Sequence, residues 1–149
     1  MSHTARIKGI KISSIEALRS TVAELNDQGI KCSIVLNAAP RAFYQSQEGL
    51  GTTDYVIQLA DSRYDIGLYK QNDGSYEPRC DFWANDISKL LGVLPVDSSP
   101  ARTEQAKLGK LFQTYAIHAA SEQAFNQGYM TERITNEDGT VQLIVSGFN

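Results

Sequence analysis

The sequence predicts an α+β protein: a mostly antiparallel sheet of about five to six strands, with two to three helices packed on one face. Two observations carry this reading. Strand-like segments come in consecutive hairpins around Gln71-Asn72-Asp73-Gly74 and Asn136-Glu137-Asp138-Gly139, and do not alternate with helices as a parallel sheet would require. Segments with helical spacing of apolar residues stand apart from those hairpins. At 149 residues the chain has the usual size of one domain, so residues 1–149 are expected to share one core.

Taken in order, residues 5–12 read as a strand in which Ile7 and Ile10 are out of phase, with Gly9 placed to supply a correcting bulge. Ser13 and Glu16 form a capping box for a helix that keeps Ile15, Leu18, Val22 and Leu25 on one side, and Gly29 stops it. Residues 30–37 alternate, with Ile30, Cys32, Ile34 and Leu36 facing one way. Residues 38–53 have no period and form a long loop, a length more common in functional or mobile segments. Strands follow at 55–60, 64–70 and 75–81, the last two joined by the Asp73-Gly74 turn. Pro78 has no N–H for a ladder, which predicts an edge or a bulge. A short helix over 82–92 uses Phe82, Trp83, Ile87, Leu90 and Leu91 and ends at Gly92. After a linker at 93–99, Ser99 and Pro100 open a long helix carrying the stripe Leu108, Leu111, Phe112, Tyr115 and Ala119, closed by Gly128. Strands at 129–135 and 140–146 complete the chain, and their free edge is one through which a homo-oligomer would pair.

Composition narrows the function classes. Fourteen Lys+Arg against 17 Asp+Glu give a net charge of −3, which argues against broad nucleic-acid coating. No stretch has the roughly 20 apolar residues of a membrane span, and the start lacks a signal-peptide core. A cytoplasmic protein is expected, with Cys32 and Cys80 as reduced thiols. A disulfide between them would need neighbouring strands.

Met1-Ser2-His3, the Tyr64-Asp65-Ile66-Gly67 strand, the Asn72-Asp73-Gly74-Ser75-Tyr76 hairpin leading to Cys80-Asp81-Phe82-Trp83, and the closing strand from Asp138 to Val145 carry a likeness. In these motifs the chain resembles a conserved hypothetical family encoded in red-algal plastids, cyanobacteria and phages. The resemblance implies an α+β domain in a cytoplasm, stroma or phage-infected cell, and hands over no reaction. It carries over Ser2, His3, Tyr64, Asp65, Gly67, Asp73, Gly74, Asp81 and Trp83, of which the glycines and Asp73 need only a backbone explanation.

Candidate chemistry is sparse, and the reading leans away from an enzyme. His3 beside the amino terminus would suit a copper or nickel site only with Met1 retained; a ligand-side or packing role is favoured, and no metal or cofactor is expected. His118, on the flank of the long helix, reads as a structural histidine. Asp65 falls opposite Cys80 or Asp81 in the predicted hairpin register, so Asp65, Glu77 and Asp81 would be the carboxylates of a metal-dependent hydrolase. Trp83 and Tyr64 could stack on a base while Arg41, Arg63 and Arg79 hold phosphates, which would make the chain a nucleotide-sequestering protein. Gly49-Leu50-Gly51-Thr52-Thr53 lacks the Lys of a phosphate loop. The favoured reading is a binding or adaptor protein without catalysis, recognising an unidentified protein partner or a small anionic ligand. Phe43 and Tyr44 on the long loop are its expected partner-binding anchors. The ligand-binding candidates are His3, Arg41, Arg63, Tyr64, Asp65, Arg79, Asp81 and Trp83, with Arg41, Arg63, Arg79, Arg102 and Lys107 leaving room for a local anion pocket.

Overall fold

A computed structural model describes residues 4–6, 11–42, 51–94, 103, 105–137 and 140–147. The elements are β1 (Thr4–Arg6), α1 (Ile15–Asp27), β2 (Cys32–Ala38), β3 (Thr53–Leu59), β4 (Ile66–Lys70) and β5 (Tyr76–Asp81). A single 3₁₀ turn (Trp83–Asn85), α2 (Asp86–Leu91), α3 (Gly109–Asn126), β6 (Tyr129–Thr135) and β7 (Val141–Gly147) follow. The α+β reading holds. The seven described strands divide into two sheets: a five-stranded antiparallel sheet in the order β1-β5-β4-β3-β2 and a separate β6–β7 ribbon.

Local chemistry explains most boundaries. Ser14, not Ser13, caps α1, its hydroxyl accepting from the Ala17 N–H at 3.0 Å. The extended backbone needed at an N-cap falls one residue later than the Ser13–Glu16 pairing implies. Gly29, Gly74 and Gly128 all take positive φ, ending α1, turning β4 into β5 and ending α3 as expected. The β4–β5 register pairs Ile66 with Cys80 and Gly67 with Arg79, as the Asp73-Gly74 turn predicts. Pro78 is a correction: β5 lies inside the sheet, between β4 and β1. On the β1 side, Tyr76 exchanges both backbone bonds with Ile12, and β1 itself pairs only with Arg79–Asp81. Pro78 sits in the gap, where its missing N–H leaves no described partner unsatisfied. The strand foreseen at 5–12 is described as β1 and the isolated Ile12 bridge, and Gly9 lies outside the described residues.

The helical predictions are corrected twice. Residues 82–92 form a 3₁₀ turn and α2, kinked where Ala84 and Asn85 take positive φ. Gly92 ends α2 for a steric reason: an added Cβ would stand 2.4 Å from the Ser88 carbonyl oxygen. The long helix does not run unbroken to Gly128. The chain turns at Lys107–Leu108 and α3 starts at Gly109, whose missing Cβ admits Val93 (a Cβ would meet Val93 Cγ2 at 2.1 Å). Ser99, Pro100 and Arg102 lie outside the described residues.

Both α1 and α3 pack on the same sheet face. Ala17, Leu18 and Leu25 of α1 and Leu111, Phe112 and Tyr115 of α3 join Ile57, Leu59, Ile66, Leu68, Tyr76 and Cys80 in one buried cluster. Each such side chain contributes on the order of 1.5–3 kcal/mol through burial. The helix pair is also latched by polar bonds: the Tyr115 hydroxyl accepts from the Ser13 and Ser14 N–H groups, and Ser14 Oγ donates to Glu122 at 2.6 Å. Only the first half of α3 is buried; the second half runs out past the sheet and carries the ribbon. Cys32 and Cys80 form no disulfide: they lie on strands separated by β3 and β4, some 14 Å apart at the usual strand spacing, too far to bridge. No described helix is long and apolar enough to cross a membrane.

Candidate functional site

The sequence-predicted residues occupy several small sites. Asp65, directly before β4, has no exposed surface. Arg41 chelates it from the start of the long loop, with Nε to Oδ2 at 2.9 Å and Nη2 to Oδ1 at 2.8 Å. The Arg41 N–H adds a third bond to Oδ2, and the Asp65 N–H returns one to the Arg41 carbonyl. Nη2 also donates to the Leu59 and Ser62 carbonyls. The bond to Asp65 raises the Arg41 pKa further, so the guanidinium stays charged. Its structural effect is to anchor the loop to the sheet.

Arg63 is committed elsewhere. It grips the Asp86 carboxylate with Nε at 2.7 Å and Nη2 at 2.9 Å, which holds the Asp86 pKa down to about 2. Arg79 lies 4.6 Å over the Tyr69 ring and 3.4 Å from Glu77, on the sheet face away from the helices. Gly67 makes room there: a Cβ would come 2.6 Å from the Tyr69 ring and 2.9 Å from Pro40. Asp81, also buried, accepts the Trp83 N–H at 2.8 Å. Trp83 packs partly buried against the core, while Tyr64 is a core residue whose ring has no free face for stacking. The three arginines therefore each serve their own carboxylate. His3, Phe43 and Tyr44 lie outside the described residues.

The three carboxylates of the hydrolase alternative are each engaged within the fold. Register extends to place Asp65 across from Asp81, but both Asp65 oxygens are taken by Arg41 and Glu77 pairs with Arg79. Among the described residues, no group of three His, Cys, Asp or Glu side chains is placed to hold a metal ion. Burial pushes the Cys32 thiol pKa up, which keeps it protonated and a poor nucleophile.

A groove of about 670 Å³ opens where α1, the outer half of α3 and the start of β6 meet. Phe125, Tyr129 and Met130 give it apolar walls, and Glu16, Glu122 and His118 give it a polar rim. Of the eight large apolar side chains exposed among the described residues, six gather here and on the ribbon: Phe125, Tyr129, Met130, Ile134, Ile144 and Val145. The ribbon is tied back by charge. Arg133 donates to both Glu24 oxygens at 2.6 and 3.0 Å, and His118 Nε2 lies 3.0 Å from Glu24 Oε1. Arg133, ahead of His118 and against the opposing effect of burial, draws the Glu24 pKa down. His118 is thus a structural link, as expected, but its partner Glu24 on α1 was not foreseeable from α3 alone. The groove also had a signal in the sequence. Phe125 is a large apolar residue on the flank of α3 beyond its buried part, and Val141–Val145 carries apolar residues on both strand faces.

A smaller polar groove, about 430 Å³, is lined by Lys31, Ser33, Arg41 and Gln58 among others.

The architecture is that of an α+β chain with polar ties inside and an exposed apolar groove beside its terminal ribbon. The chain belongs to the family described as proteins of unknown function, DUF1257, whose sequence profile matches residues 24–144. No curated protein and no solved structure matches it.

Proposed function

We propose that the chain is a non-catalytic binding module that takes a protein segment in the groove between α3 and the start of β6. The carrying observation is the concentration of exposed apolar side chains there, Phe125 at 65% and Met130 at 56% exposure, beside a concavity within the size range of ligand sites. Contiguous apolar surface of this kind marks interaction sites. Glu16 and Glu122 on the rim favour a partner segment with apolar anchors and basic flanks. A reducing, cytoplasmic setting accords with two cysteines that form no disulfide.

The test pairs capture with stability. Wild type and a Phe125→Ser/Met130→Ser variant are used to isolate partners from the native host, and the recovered protein is then purified and titrated. The double variant should melt like wild type, because exposed substitutions usually change stability by less than about 0.5 kcal/mol. It should lose the partner, and wild-type binding should weaken with added salt. Equal binding by both proteins would sink the reading.

A second reading rests on the polar groove at Lys31 and Arg41. There a small phosphate or nucleotide-like anion would meet the Lys31 ammonium and the outer edge of the Arg41 guanidinium. Thermal melting in phosphate and mono-, di- and cyclic nucleotides tests it: a ligand at 100 times its Kd adds about 2.7 kcal/mol. Unchanged melting with every probe discards it.

A further inference from the structure

β7 has an unguarded edge. Among the described residues only β6 pairs with it, so one side of a seven-residue strand presents free backbone N–H and C=O groups. Natural edges are blunted by charge, proline or bulges. Val141-Gln142-Leu143-Ile144-Val145-Ser146-Gly147 has no charge and no proline. β6, by contrast, carries Glu132 and Arg133, lies against α3 and lines the groove; α3 only grazes β7. The ribbon therefore points its neutral strand outward. A lone two-stranded ribbon is also marginal without further strands.

We propose that two copies of this chain pair β7 to β7, antiparallel about a two-fold axis, into one four-stranded sheet ordered β6-β7-β7-β6. The two-fold operation forces each residue to face one of the same parity, because residues directly opposite share a sheet face. Centred on Ile144, the pairing sets Ile144 against Ile144, Leu143 against Val145, Gln142 against Ser146 and Val141 against Gly147. No like charges meet. The same operation on β6 centred on Glu132 would oppose two glutamates. Charge also selects the antiparallel direction: the acidic Glu137 at the ribbon's turn then lies at opposite ends of the two strands, more than about 20 Å apart. Parallel pairing would set the two turns side by side. The face bearing Met130, Ile134 and Ile144 becomes continuous across the axis, and the groove on each β6 side stays open. The inference stands independently of what the groove binds, and a dimer would offer two grooves to one partner assembly.

Sedimentation equilibrium of the purified chain over a wide concentration range tests it. Wild type is expected to reach twice the mass of one chain. Ile144 is 47% exposed, so Ile144→Lys and Ile144→Glu each leave the fold intact by melting and by circular dichroism. Each alone is expected to be monomeric, and an equal mixture is expected to recover the dimer. A wild-type chain that stays monomeric, an Ile144→Lys chain that still dimerises, or a mixture that stays monomeric overturns the proposal. The groove variant Phe125→Ser/Met130→Ser separates the two readings: it should dimerise like wild type even where partner capture is lost.

Discussion

Removing the Arg41 side chain would strand a fully buried carboxylate. In Arg41→Ala, Asp65 keeps among the described residues only the bond from the residue 41 N–H and loses the two guanidinium bonds at 2.9 and 2.8 Å. Breaking a buried ion pair from one side costs about 3–5 kcal/mol. Arg41 itself is 46% exposed, and water entering beside it screens the residual charge, so about 3 kcal/mol is expected. For a chain of this size that lowers Tm by about 6–12 °C. Urea unfolding of wild type, Arg41→Ala, Asp65→Asn and the Arg41→Met/Asp65→Asn pair measures the coupling. The paired variant removes the charge and keeps an acceptor for the residue 41 N–H, so it should recover at least half of the loss. An Arg41→Ala variant within about 1 kcal/mol of wild type would refute the anchor argument. It would also favour the anion reading, in which Arg41 costs ligand affinity and not stability.

Three other outcomes follow from the same geometry. Asp86 is held near pKa 2 by Arg63, below its ordinary value near 4; its ionised form stabilises the fold above that ordinary value and loses this contribution as pH falls towards about 2. Arg63→Ala should flatten this acid limb in a stability-versus-pH series, and an unchanged limb would exclude the pair as its cause. Gly67→Ala should cost about 1–3 kcal/mol in denaturant unfolding, because the new methyl collides with Tyr69 and Pro40; a neutral result would mean that both side chains shift freely. Glu24→Gln removes the ionic tie to Arg133, so amides of β6 and β7 should exchange faster with deuterium while β3 and β4 keep wild-type protection. Equal exchange would show that packing alone holds the ribbon.

Much of the fold was legible because its cues are short-range. The Asp73-Gly74 turn pins the β4–β5 register, and Gly29, Gly74 and Gly128 sit where only a residue without a Cβ turns cheaply. Where a boundary depended on a neighbour distant in sequence, the local signal misled. The break before Gly109 exists because Val93 presses there, and Pro78 is tolerated inside the sheet because β1 pairs on one side of it and Ile12 on the other.

For the site, the sequence by itself determined the chemical inventory: the arginines, the aspartates, the two cysteines and a terminal hairpin with an edge to offer. It could not assign partners, since Asp65 meets Arg41 across 24 positions and Glu24 meets Arg133 across 109. Tertiary structure decided that the arginines are spent on internal carboxylates. It also detached β6–β7 from the main sheet, because α3 outruns the core and leaves its last turns, and the ribbon they carry, facing water.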